Sequence, residues 1–237
     1  MEKARMTEHA SLRDVEPIAR TSVTDQVFEA LYRKVLLVEL PPGTKLSELD
    51  VARQLGVSRQ PVRDAFFRLS KLGFLQIQPQ RATTVTRISA TMVERARFVR
   101  TAIEVAVVRE AARVLTAADL AELDAIIEAQ AQAIAAGDRN RFHDLDDGFH
   151  LRLCELIGHG HAYEIIREAK AHTDRLRLMS LNHAAPVALE DHRQILARIR
   201  AHDPDGAAEW ITTHLGRIRE MVAKVRAENH SWFVEEE

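Results

Sequence analysis

With 237 residues, 46% hydrophobic and 29% charged, the chain can bury one large core or two smaller ones and lies outside the disordered class. Its net charge of -2 by itself argues against a nucleic-acid binder, yet residues 1–89 carry 14 Lys/Arg against 10 Asp/Glu while residues 90–237 carry 19 against 25, the asymmetry of a DNA reader joined to a regulatory body. One cysteine (Cys154) excludes an intrachain disulfide, the polar N-terminus lacks a signal-peptide core, and no run approaches the ~20 apolar residues of a membrane span, so a soluble cytoplasmic protein without a membrane partner is expected.

Residues 1–20 carry no strong period and are expected to form a flexible arm. From Thr21 to Leu40, apolar Val23, Val27, Ala30, Leu31, Val35 and Leu36 mark one helical face, which Pro41-Pro42-Gly43 stops. Leu46 to Gly73 reads as two short helices around a turn at Leu55-Gly56-Val57. Ser47 is placed to cap the first helix, whose Leu49, Ala52 and Leu55 are expected to face the core, and Gly56 can take the positive φ that ends it. Ser58 is placed to cap the second, Pro61 sits in the first turn where its missing N–H costs little, and Val62, Phe66 and Leu69 form the buried stripe. Arg59 and Arg63, four apart, share a different face. Phe74 to Gln78 alternates like a strand, 79–82 is a turn, and the β-branched Thr83 to Thr86 returns, making a small wing.

Beyond Ser89 the pattern is helical: Thr91–Leu115, Ala117–Ala136, Asn140–Ile157, Ala162–Leu181, Val187–Ala201 and Gly206–Ala227. About six helices predict an antiparallel α-bundle. The fold class expected is therefore mainly α: an arm (1–20), a winged helix-turn-helix domain (21–88), an all-helical domain (89–228) and an acidic, frayed tail (229–237). The second short helix has the make-up of one that enters the major groove. Arginine forks guanine or clamps phosphate, Gln60 can read adenine or contact a backbone oxygen, Ser58 at the helix N-terminus suits a phosphate, and Arg81 at the wing tip suits the minor groove or a flanking phosphate.

A second feature is Asp146-Asp147-Gly148-Phe149-His150. Asp146 and His150 project from one helical face, and His192 and His214 fall on two later helices, so three imidazoles and one carboxylate can hold a divalent metal with positions left open. Asp147 is the alternative carboxylate if the helix phase differs. No general base or nucleophile accompanies the cluster, so an enzyme is not expected.

The stretch ELDVARQLGVSRQPVRDAFFRLSKLGFL, preceded by LPPGTKLS and followed by the wing, resembles the winged-helix domain of the GntR family of bacterial transcription regulators. The helical remainder is similar to the FCD ligand-binding domain of that family's FadR-type branch, and the resemblance runs from about Thr21 to Lys224. It implies a homodimer on a palindromic double-stranded DNA operator, released by a small metabolite, with repression of a nearby metabolic or transport operon. Many FCD domains place Asp-x-x-x-His on one helix and two later histidines in these contexts, and Asp146, His150, His192 and His214 match. The resemblance thus implies a divalent metal, zinc or nickel, that anchors a small organic-acid effector. Arg100 matches a family arginine that faces the cavity and is expected to clamp the effector carboxylate, with a structural Arg100–Glu104 pair as the alternative; Arg175 is a second candidate. Three positions depart from the pattern: Ala82 replaces a wing glycine, Leu49 an arginine of some relatives, and His159 an asparagine. Two alternatives stay open, a regulator for which the ion itself is the signal and a metal-free pocket for a long acyl ligand.

Overall fold

The computed structural model describes residues 22–78 and 82–235, with side chains throughout these except at 181–183. Helix α1 (Val23–Leu36) starts where the Ser22 hydroxyl accepts the Asp25 N–H at 3.0 Å, and it buries Val27, Phe28, Leu31, Val35 and Leu36. The sequence extends this helix to Leu40; the chain instead leaves it at Leu37, and Val38 turns with φ 60°.

Strand β1 (Lys45–Leu46), helices α2 (Glu48–Leu55) and α3 (Arg59–Lys71), and strands β2 (Leu75–Gln76) and β3 (Thr83–Val85) follow. The strands form an antiparallel sheet in the order β1-β3-β2, with Lys45 opposite Thr84 and Leu75 opposite Val85. The wing therefore has a third strand, supplied from ahead of α2. Gly56 leaves α2 at φ 65°, and the Val57 N–H reaches back to the Ala52 carbonyl at 3.0 Å. That turn fixes the angle between α2 and α3 and with it the buried face of α2. Val51 and Ala52 point inward, whereas Leu49 and Leu55, expected in the core, are 50% and 41% exposed. Along α3, Val62, Ala65, Phe66 and Leu69 are buried as the stripe requires. Val62, Phe66 and Leu69 each contribute roughly 1.5–3 kcal/mol by leaving water.

The body holds α4 (Ala90–Val114), α5 (Ala117–Ala135), α6 (Arg139–Leu156), α7 (Gly160–Arg200), α8 (Pro204–Gly216) and α9 (Ile218–Glu228). Among the described residues these are six helices, divided differently from the sequence reading. The segments expected at 162–181 and 187–201 fuse into the 41-residue α7, which continues through Pro186. Pro186 lies on the exposed face, where water can serve the backbone group it leaves unpaired. The helix expected at 206–227 divides at Arg217 instead. Helix α5 opens on a capping box in which Thr116 and Asp119 exchange side-chain and backbone bonds. Leu123, Phe142, Phe149, Leu153, Ile166, Ile195, Leu196 and Ile199 fill the core between the helices.

Helix α7 belongs to both halves. Its Ala171 is buried in the core of the winged helix, its His172 ring stacks on Phe74 with centroids 5.3 Å apart, and its Arg175 donates to the Thr86 carbonyl at 3.0 Å. The tail also differs from expectation. Through Glu235 it is docked, not frayed: the Ile88 N–H donates to the Trp232 carbonyl at 2.8 Å, the Val234 N–H to the Ile88 carbonyl at 2.9 Å, and Phe233 is buried. Trp232 and Phe233 supply apolar anchors that outweigh the acidic residues around them. Among the described residues no helix is long and apolar enough to cross a membrane.

Candidate functional site

Helix α6 carries Asp146 and His150 one turn apart, α7 supplies His192 and α8 supplies His214. One ligand atom from each lies within 4.8 Å of the others, and all four side chains are buried. Ring centroids are 5.3 Å apart for His150 and His192, 5.4 Å for His150 and His214, and 4.7 Å for His192 and His214. Asp146 Oδ1, both nitrogens of His150, His192 Nε2 and His214 Nδ1 are buried without a hydrogen-bond partner. Each such group costs about 1–3 kcal/mol if nothing satisfies it.

The surroundings fix how these atoms point. Gln130, fully buried on α5, donates its Nε2 to the Leu145 carbonyl at 3.0 Å, so its Oε1 is left to accept from His192 Nδ1 at 2.9 Å. His192 is thereby set with its proton on Nδ1 and a lone pair on Nε2, which lies 3.7 Å from the Asp146 Oδ1 acceptor. Two acceptors facing each other across this distance, with no proton between them, suit a cation. Burial, then the charge of His214, pushes His192 well below the usual histidine range, and burial also pushes His214 down. Burial alone would raise Asp146, but the paired Arg177 guanidinium and the three imidazoles hold it well below the usual carboxylate range. Glu104 Oε2 lies 2.6 Å from His150 Nδ1 but off the hydrogen-bonding direction, and Glu104 Oε1 accepts from Arg100 Nε at 2.7 Å. Asp191 Oδ2 is 3.5 Å from His214 Nδ1, and Arg217 grips Asp191 with two bonds of 3.0 Å. Against the cost of burial, His214 and Arg217 push Asp191 down to about 2. Carboxylates and an amide behind imidazoles are the usual support of a histidine metal site, and a donor set of three imidazoles and one carboxylate fits a divalent transition metal. Asp147 stands apart from this set. It groups with His143 and Asp174, where the Lys170 ammonium already provides a cation at 2.6 Å from Asp147 and 2.8 Å from Asp174.

A cavity of about 180 Å³ adjoins the cluster and shares His214 as a wall. Apolar Ala184, Ala185, Leu215, Ile218 and Met221 line part of it, and Arg100, Arg177 and Arg217 bring positive charge. Arg100 Nη2 and Arg177 Nη1 are buried donors without hydrogen-bond partners. Arg100 both pairs with Glu104 and faces the cavity, so the two roles expected of it are compatible. Arg175, expected as a second effector residue, is not in the cavity. It points to the opposite side of α7, where Nη1 donates to the Thr86 carbonyl while Nε and Nη2 are buried without hydrogen-bond partners; Arg177, two residues on, takes the cavity position.

On the other half, Arg59, Gln60 and Pro61 form the first turn of α3, with Arg63 one turn on. The Arg59 and Arg63 side chains are each 57% exposed and converge on Glu48 Oε2, at 3.4 and 3.3 Å. Gln60 donates to Asp64 at 2.8 Å. Ser58 occupies the N-cap position, but its hydroxyl makes no capping bond, which leaves it available to an outside acceptor. Arg81 lies outside the described residues.

The two halves have recognisable counterparts. Residues 23–85 match the profile of the bacterial regulatory proteins of the gntR family, and residues 96–217 match the FCD domain. The chain is 37% identical over 233 residues to the HTH-type transcriptional repressor RspR of Escherichia coli (strain K12), covering 98% of this chain and 100% of that one. The chain belongs to the GntR family. This GntR protein is also 32% identical over 216 residues to an HTH-type transcriptional regulator in an unstable DNA locus of Streptomyces ambofaciens, covering 90% of each chain. Its fold is that of E. coli McbR/YncC, with a TM-score of 0.71 at 24% identity, covering 86% of this chain and 99% of that one. It is a DNA-binding transcriptional regulator with an FCD domain, not an enzyme. Gln130, Arg177 and Asp191 of this GntR regulator were not marked by its sequence. Glu104 was legible only as a helix-face partner of Arg100, four residues away.

Proposed function

We propose that this GntR regulator is a homodimeric, metabolite-responsive repressor. In this reading residues 21–88 form the reader and residues 89–228 the effector-binding and dimerisation body. Ser58, Arg59, Gln60, Pro61 and Arg63 face a palindromic double-stranded operator, α3 lying in the major groove. Asp146, His150, His192 and His214 hold a divalent metal, zinc or nickel. When bound, the ion supplies fixed positive charge and an open coordination position for an oxygen ligand. Around it the chain's own residues do the rest. Gln130 keeps the His192 Nε2 lone pair aimed inward, Glu104 and Asp191 stand beside His150 and His214, and Arg100 and Arg177 meet the carboxylate of a small organic acid in the adjoining cavity. Effector binding then shifts the balance between operator-bound and free arrangements. That the relative RspR is a transcriptional repressor by name favours repression.

One observation carries the body half of this reading: buried donors and acceptors without partners converge from α6, α7 and α8, beside a cavity with two guanidinium donors that make no hydrogen bond, Arg177 Nη1 having only Asp174 at 3.7 Å. Metal analysis of purified protein tests it. Wild type is expected to hold about one ion per chain, and His192→Ala or His214→Ala to lower occupancy; undiminished occupancy in both rejects the site. Organic-acid release of DNA with the ion retained supports an anchoring metal, whereas DNA affinity that follows free metal makes the ion the signal. For the reader, Arg59→Ala and Arg63→Ala are expected to abolish specific DNA binding and leave the dimer intact, and full operator affinity in both would sink that assignment.

A further inference from the structure

We propose that Glu48 is a positioning residue that presets both arginines of α3 and sets how strictly the reader separates its operator from other DNA. The inference rests on the reading of α3 as the groove helix. Glu48 is the first residue of α2, and its side chain is half as exposed as those it holds, 27% against 57%. One of its oxygens, Oε2, lies 3.4 Å from Arg59 Nη2 and 3.3 Å from both Nε and Nη2 of Arg63. A single carboxylate thus ties two guanidinium groups together across the turn between α2 and α3. Its own position is set by Ser47, whose hydroxyl accepts the Asp50 N–H at 3.4 Å and starts α2.

The grip leaves the reading edges free. Arg63 uses its Nε–Nη2 side and keeps the end-on Nη1–Nη2 fork; Arg59 uses one nitrogen only. The end-on fork is the edge that meets guanine O6 and N7. Glu48 can therefore stay in place while both arginines read bases.

Two effects follow, and both favour discrimination. Long arginine side chains are ordered before DNA arrives, so less ordering remains to be done on the operator. The carboxylate also cancels one of two neighbouring positive charges, which weakens attraction to any phosphate, the main source of non-specific binding. A bare acceptor at this place would be repelled by phosphate and by guanine alike, so Glu48 is tolerated only behind correctly placed arginines. Exposed ion pairs of this kind add little to folding, so substitutions here leave the domain folded.

The test uses the full-length protein and two duplexes: one selected by the wild type from a random-sequence pool, and its shuffled counterpart of equal length. Glu48→Gln is expected to tighten binding of the shuffled duplex, steepen its salt dependence and lower the selected-to-shuffled affinity ratio about tenfold. Glu48→Asp keeps the charge but is too short to bridge both arginines, and is expected to weaken only the selected duplex. A ratio within twofold of wild type in both variants overturns the proposal, as does an equal loss on both duplexes. Failure of the underlying reading looks different. If Arg59→Ala and Arg63→Ala retain full affinity for the selected duplex, α3 is not the reader and this inference falls with it. If they lose it while the Glu48 variants keep the wild-type ratio, only the positioning role falls.

Discussion

Gln130→Leu removes one amide from the interior while leaving every proposed metal ligand in place. Gln130 is fully buried, bonds the Leu145 carbonyl at 3.0 Å and receives His192 Nδ1 at 2.9 Å. Leucine has nearly the same volume and no polar atoms. Two hydrogen bonds of about 1 kcal/mol each disappear, and the His192 Nδ1–H is left buried without an acceptor. The Leu145 carbonyl keeps its place inside α6, and leucine's apolar burial offsets part of the loss, so metal-free protein is expected to lose about 2 kcal/mol of unfolding free energy. With its tautomer no longer fixed, His192 becomes a poorer ligand, and metal affinity is expected to fall about 10- to 100-fold, or roughly 1.4–2.7 kcal/mol. Competition against a chromophoric chelator measures the second quantity, and denaturant unfolding of chelator-treated protein measures the first. Metal affinity within about threefold of wild type, accompanied by the stability loss, would make Gln130 a packing residue and refute the reasoning. Gln130→Glu gives an internal control. It keeps an acceptor for His192 Nδ1 but sets a second acceptor against the Leu145 carbonyl, so it is expected to lose stability without the same loss of metal.

Gly73 sits at φ 79°, and a Cβ there would lie 3.0 Å from His172 Cε1. Gly73→Ala is therefore expected to cost about 1–2 kcal/mol by backbone conformation alone, and unchanged stability in denaturant would contradict it. Burial, and then the charge of Arg175, lowers His172 below its ordinary value of 6.5. The folded ring takes a proton less readily than the unfolded one, so its contribution is present above 6.5 and is lost as the pH falls below it. Unfolding measured across that window is expected to show the loss, to which buried His192 and His214 also contribute, and His172→Phe, which keeps the stack on Phe74, to make it shallower; an identical slope in the variant would exclude His172 as a source. Phe233→Ala removes a buried anchor worth about 3 kcal/mol. It is expected to expose the Ile88 amide, which donates to the Trp232 carbonyl, to rapid hydrogen exchange. Unchanged exchange at Ile88 would show that the tail is held by other means.

The reader was legible in the sequence because its signals are local. Gly56 marks a left-handed residue, Pro61 a first turn, and Val62, Phe66 and Leu69 a stripe; none of these needs a distant partner. The phase of α2 was not, since eight residues make little more than two turns and the helix is turned by what α3 offers it. Leu49 and Leu55 accordingly lie outside while Val51 lies inside. In the body, the residue types and local contexts of Asp146, His150, His192 and His214 could be read directly. Their convergence depends on α6, α7 and α8 crossing at one level, and so does the identity of the groups behind them. Gln130 is 62 residues from His192, and no periodicity links the two. Arg175 and Arg177 show the limit most clearly. Two positions on a helix are separated by about 200°, so one faces the winged helix and the other the cavity. Only the packing of the 41-residue α7 between both cores decides which is which.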